Sequence, residues 1–210
     1  MSFLLPLLYP ILDASLLPAF ERGAYLVRVL CELEDAGVTL LQYRNKHREA
    51  DIPHDAKVMR IGASRAVRLI MNDSPELAVQ LDFDGVHVGQ MDASPEEGRR
   101  IVGPDRIVGM STHNRAQLEA ADAMPVDYIA FGPVFATDSK LNPDPVVGLE
   151  GLREARALTK KPLVAIGGIT VENASSVLDA GADSVAVISA MFGPGKDPAK
   201  IAKDFLRIFR

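Results

Sequence analysis

Short runs rich in leucine and β-branched residues recur eight times in this chain: LLYPIL (7–12), VTLLQY (38–43), VRLIM (67–71), DGVHV (84–88), RIVGM (106–110), DYIAF (127–131), PLVAI (162–166) and SVAVI (184–188). Between them lie stretches with apolar residues at helical spacing, such as AYLVRVLCELEDAG, ASPEEGRRIV, NRAQLEAADA, LEGLREARAL and NASSVLDAGA. PAKIAKDFLRIF follows the eighth run. Parallel strands need long crossovers, usually helices, so the alternation predicts a parallel sheet. A doubly wound open sheet would satisfy that much. Eight regular units favour a closed α/β fold, the (β/α)8 TIM barrel, and 210 residues suits its compact end. No linker-like Gly/Ser/Pro stretch or charge block interrupts the chain, so one domain over residues 1–210 is expected.

Charge narrows the ligands. A net charge of −5 and a pI near 5.4 argue against general nucleic-acid or membrane binding. An acidic protein that takes an anionic ligand must do so with a local cluster of cations. The single cysteine, Cys31, cannot form an internal disulfide and is expected to pack in the core. The opening MSFLLPLLYPILDASLLP is apolar, yet it has no basic residue before Arg22 and is broken by Pro6, Pro10 and Asp13, unlike a signal peptide. No run approaches the ~20 apolar residues of a membrane span. A cytoplasmic location is expected.

One stretch places cations with care. In VTLLQYRNK, Gln42, Arg44 and Lys46 alternate on the parity of Val38 and Leu40. Residues two apart share a face of a strand, so this segment is buried at its start and wet at its end. It is either a strand leaving the core for solvent or one whose last inward positions line an anion site. Barrel active sites gather at the C-terminal ends of strands, which favours the second.

Other strand ends carry matching chemistry. MNDSP follows the third strand and VGQMDASPEE the fourth, and in each a Ser-Pro pair opens the next helix. Ser74 and Ser94 fill the cap positions, with Pro75 and Pro95 behind them, which leaves Asp73 and Asp92 over. Two carboxylates with Asn72 beside them suit Mg²⁺, which takes one or two carboxylates plus phosphate oxygens and water; a solvated-loop role is the alternative. After the sixth strand, GPVFATDSKLNPDPVVG (132–148) runs 17 residues without a regular pattern. Loops that long are functional or disordered, and Thr137, Ser139 and Lys140 offer two hydroxyls and a cation to an anion beneath it. IGGIT after strand seven and ISAMFGPG after strand eight bring Gly167, Gly168 and Ser189 to where barrels often hold phosphate, although a Gly-Gly pair alone could be only a tight turn. The histidines say less. His87 reads as a satisfied core residue, His113 as a loop residue without a role, and His47 and His54 as exposed. No Ser-His-Asp or HExxH constellation is present, which disfavours a covalent mechanism.

In order and spacing, QYRNK, MND, DGVHVGQMD, GMSTH, GPVFATDSK, AIGGIT and AVIS resemble the thiamine-phosphate synthase family over about residues 38–190. The family joins hydroxymethylpyrimidine diphosphate to thiazole phosphate and releases pyrophosphate. The resemblance implies that Gln42, Tyr43, Arg44, Asn45, Lys46 and Asn72 hold the pyrimidine diphosphate, that Asp73 and Asp92 ligate Mg²⁺, and that Ser111 contacts the pyrimidine. It implies that Lys140 reaches the diphosphate, and that Thr137, Ser139, Gly168, Ile188 and Ser189 hold the thiazole phosphate. Arg44, Lys46, Ser111 and Lys140 would carry the catalysis. Ser139 stands where the family usually has threonine, and YPILD has a proline where the family tends to be aliphatic. The implied partners are these two small molecules, with a homo-oligomer left open. Two other readings stand beside this one. A thiazole tautomerase on the same barrel would need no diphosphate clamp, and a phosphate-binding sensor would need neither a metal pair nor a long loop.

Overall fold

The computed structural model describes residues 4–46, 49–137 and 144–209. Strands and helices alternate strictly: β1 (Leu8–Asp13), α1 (Arg22–Asp35), β2 (Leu40–Arg44), α2 (Ile52–Gly62), β3 (Arg68–Asn72), α3 (Pro75–Gln80), β4 (Gly85–Val88) and α4 (Pro95–Val102) make the first half. The second half is β5 (Ile107–Thr112), α5 (Arg115–Asp122), β6 (Tyr128–Phe131), α6 (Gly148–Leu158), β7 (Leu163–Ile166), α7 (Ala174–Asp179), β8 (Ser184–Val187) and α8 (Pro198–Ile208). The strands pair in parallel in sequence order, and β1 pairs β8 to close the barrel. This is the expected (β/α)8 barrel. Among the described residues, no helix is long and apolar enough to cross a membrane.

Strand alternation divides the core in two. Tyr9, Ile11, Leu40, Ile70, Ile107, Tyr128, Val164 and Ala186 fill the barrel interior. Residues of opposite parity, such as Leu41, Tyr43, Leu69, Met71, Val108 and Ile129, pack outward against the helices. The helices begin as their sequences dictate. Ser74, Ser94, Asn114 and Asp197 accept backbone N–H bonds from Leu77, Glu97, Gln117 and Lys200. Cys31 departs from expectation: it lies on the exposed face of α1.

The floor of the barrel carries a repeated fastening. Asp84, Asp127 and Asp183 each precede an even strand. Their carboxylates accept from the N–H of Leu69, Val108 and Leu163 on the preceding strand, at 2.8, 2.7 and 2.8 Å. Arg60, Arg99 and Arg156, from α2, α4 and α6 (the helices that lead into β3, β5 and β7), pair with the same carboxylates. Stability is thus built at one end, and the other end is left for chemistry.

Candidate active site

At the mouth, β2 ends as its alternation requires. Gln42 turns inward, is 2 % exposed, and donates from Nε2 to the Tyr9 hydroxyl at 2.9 Å. Arg44 follows on the same face and forms an ion pair with Asp13 at the end of β1. Burial would raise the Asp13 carboxyl. Hydrogen bonds from the Ser15 hydroxyl and N–H, and the Arg44 charge, outweigh that and hold it below the usual carboxylate range. Lys46 reaches over to Asp73, with Nζ 2.6 Å from Oδ2.

Asp73 is held in an unusual backbone state. Its φ is 68°, in the left-handed region, and its N–H donates to the carbonyl of His87 at 2.8 Å, which ties the end of β3 to β4. Asp92 folds back so that Oδ2 accepts from the Gly89 N–H at 2.8 Å. A Cβ on Gly89 would lie 2.8 Å from that same oxygen, so glycine leaves room for the carboxylate. Asp73 is pushed above the usual carboxylate range by burial first; Lys46 opposes the shift and the neighbouring Asp92 carboxyl adds to it. Two carboxyls that near each other each favour a cation between them. Among the described residues no group of three or more His, Cys, Asp or Glu gathers to enclose a metal. A two-carboxylate set fits Mg²⁺, which completes its shell with water and phosphate oxygens.

Gln42, Arg44, Lys46, Asn72, Asp73, Asp92 and Ser111 line one cavity of about 350 Å³. A second, of about 360 Å³, is lined by Thr137, Gly167, Gly168, Ile188 and Ser189. Ser111, His113, Asp144, Ile166 and Ile188 border both, so the cavities share a wall. Gly167 and Gly168 have φ of 103° and 61°, and a Cβ on Gly168 would lie 2.4 Å from the Ala136 carbonyl oxygen. Only glycine lets the β7 end turn this close beneath the loop after β6. Ser139 and Lys140 lie outside the described residues, as does His47.

A model of the family described as thiamine monophosphate synthase matches residues 8–191. The chain belongs to the thiamine monophosphate synthase family. The thiamine-phosphate synthase of Koribacter versatilis (strain Ellin345) is 53% identical to it over 205 residues, 97% of this chain and 96% of that one. That of Agrobacterium fabrum (strain C58 / ATCC 33970) is 44% identical over 164 residues, 74% of each. Among solved structures, a thiamine phosphate pyrophosphorylase from Pyrococcus furiosus superposes with a TM-score of 0.82 at 33% identity, covering 96% of this chain and 94% of that one. As a member of this family of thiamine biosynthesis, the chain is an enzyme, a transferase that forms thiamine phosphate.

Within this thiamine monophosphate synthase barrel, two of the expected ligand contacts line neither cavity. Tyr43 is 0% exposed, packs outward, and donates to Asp55 of α2 at 2.6 Å. Asn45 turns to the same side, its Nδ2 3.1 Å from the Tyr43 hydroxyl oxygen. Arg22 completes this outer cluster by pairing with Asp55. Conversely, His113 is no idle loop residue. It borders both cavities, bonds the Gly132 carbonyl through Nδ1 at 2.7 Å, and faces Asp144 at 3.5 Å. Asp13 was visible in the sequence only as a break in an apolar run. Its role as the partner of Arg44 depends on β1 and β2 pairing, with Asp13 opposite Arg44.

Proposed function

We propose that this transferase joins hydroxymethylpyrimidine diphosphate to thiazole phosphate by a Mg²⁺-dependent dissociative substitution across the two cavities. One observation carries the reading: the Asp73–Asp92 pair lies with Arg44 and Lys46 on one cavity, and that cavity shares a wall with the glycine-lined one. The first would take the diphosphate, the second the monophosphate. Asp73 and Asp92 would hold Mg²⁺, which when bound would neutralise charge building on the diphosphate oxygens.

The chain supplies the rest. Arg44, Lys46 and Lys140 would stabilise the departing pyrophosphate as it takes the electron pair of the breaking C–O bond. The pyrimidine amine would delocalise the resulting cation. Gln42, Asn72 and Ser111 would hold the ring, while Thr137, Ser139, Gly168, Ile188 and Ser189 would hold the thiazole so that its nitrogen lone pair forms the new C–N bond. Both substrates are small charged molecules, which suits the expected cytoplasmic setting.

Pyrophosphate release from the two substrates, with Mg²⁺ and with EDTA, tests the reading. Release that needs both substrates and is abolished by EDTA is expected. Isomerisation of the thiazole alone would favour a tautomerase, and release at full rate in EDTA would overturn the metal assignment.

A further inference from the structure

The barrel interior holds a continuous polar chain that the proposed reaction does not use directly. Gln42 Nε2 donates to the Tyr9 hydroxyl at 2.9 Å, and the Tyr9 and Tyr128 hydroxyls lie 2.9 Å apart. The Tyr128 hydroxyl lies 2.9 Å from His87 Nδ1, and His87 Nε2 lies 2.8 Å from the Ser111 hydroxyl. Tyr9 and Tyr128 are 1% and 0% exposed. Burial raises both phenols far above their ordinary range, so each keeps one proton to direct. The arrangement is built for: a Cβ on Gly109 would lie 2.0 Å from the Tyr128 ring, and the His87 ring stacks on Tyr128 with centroids 5.5 Å apart.

Taken in the sense that gives every hydroxyl proton an acceptor, the chain starts from the Gln42 donor: Tyr9 gives its proton to Tyr128, and Tyr128 gives its own to His87 Nδ1. A neutral imidazole that accepts at Nδ1 carries its proton on Nε2 and donates to Ser111. Ser111 Oγ is thereby an acceptor inward and keeps its O–H for the cavity, while Gln42 keeps its carbonyl oxygen. Both ends border the same cavity.

We infer that Tyr9, Tyr128 and His87 are positioning residues that lock Gln42 as an acceptor and Ser111 as a donor, and so select an aminopyrimidine over its oxo counterpart. This rests on the proposed function. An exocyclic amine beside a bare ring nitrogen offers a donor and an acceptor, which complements that pair. Replacing the amine by a carbonyl puts a proton on the ring nitrogen and reverses both. Reversing the relay would exchange both ends together, so the selectivity and the tautomer of one buried histidine are coupled.

Nitrogen NMR of isotope-labelled histidine, with His87 assigned by its loss in His87→Gln, reads the tautomer directly. Protonation at Nε2 alone is expected; protonation at Nδ1, or at both nitrogens, overturns the inference. Calorimetric titration with the amino and oxo pyrimidine diphosphates supplies the second readout. Tyr128→Phe, or Tyr9→Phe should the first fail to fold, is expected to narrow the preference for the amine on the order of tenfold, the worth of a buried hydrogen bond. A merely structural role would lower stability and leave that ratio alone, which also overturns the inference. If the wild type binds neither pyrimidine diphosphate, the proposed function falls and the selectivity with it. Normal turnover with an unchanged ratio in the variant overturns the relay alone.

Discussion

Arg44 shows how a single contact can serve both stability and site. Its pair with Asp13 fixes the guanidinium at the mouth, and against the upward push of burial the Ser15 hydrogen bonds first, then this pair, hold the Asp13 carboxyl below its ordinary range. A group whose pKa is depressed on folding contributes stability above its unfolded value, near 3.9, and loses that contribution as pH falls through the folded value. Asp13→Asn is therefore expected to lower the melting temperature at neutral pH and to flatten the acid limb of the stability curve. Thermal melts between neutral pH and pH 2 check it; an unchanged acid limb would remove Asp13 from the account. At this scale the sequence was legible by parity. Gln42, Arg44 and Lys46 share a face by the period of two, and they line one cavity. The same period separates Tyr43 and Asn45 from them. Those two instead join the outward cluster with Asp55. His87 did prove satisfied, with both ring nitrogens bonded, but its partners sit on other strands and leave no local mark.

Among the elements, the two ends of the barrel separate stability from catalysis, and variants should separate likewise. Asp127 ties β5 to β6 at the floor through Val108 and Arg99. Asp127→Ala leaves a strand N–H and a guanidinium without that acceptor, at a cost of about 1–3 kcal/mol. Chemical denaturation should register the loss, while kcat at a temperature where the protein stays folded should hardly change. A fall in kcat there would mean that floor and mouth are coupled. The loop after β6 should behave in the opposite way. Lys140 lies outside the described residues, yet if its ammonium meets charge that grows as the C–O bond breaks, its removal should appear in kcat more than in KM. Lys140→Ala is expected to cut kcat on the order of 10²-fold, by analogy with oxyanion donors. Lys140→Arg should recover part of the loss, because a guanidinium differs in shape and reach. Wild-type kcat in Lys140→Ala would leave the leaving group to Arg44, Lys46 and the metal.

The barrel as a whole was legible because each βα unit repeats its own periodic signal, and Ser74 and Ser94 each cap a helix as written. What stayed hidden are the relations closure alone creates, such as Tyr9 meeting Tyr128 across 119 residues. Under the proposed function, two adjoining cavities divide the labour, one for diphosphate with Mg²⁺ and one for monophosphate. Asp92→Asn tests the first without unmaking the fold, since Ser94 still caps α4 and an asparagine oxygen can still accept from Gly89. Gly168→Ala tests the second, where a Cβ would press on the Ala136 carbonyl. The deciding measurement is calorimetric titration of wild type and both variants with pyrophosphate and with thiazole phosphate, each with Mg²⁺ and with EDTA. Pyrophosphate binding should require Mg²⁺, vanish in Asp92→Asn and survive in Gly168→Ala, while thiazole phosphate binding should survive in Asp92→Asn and weaken in Gly168→Ala. Equal weakening of both ligands by both variants, or pyrophosphate binding undiminished by EDTA, would contradict it.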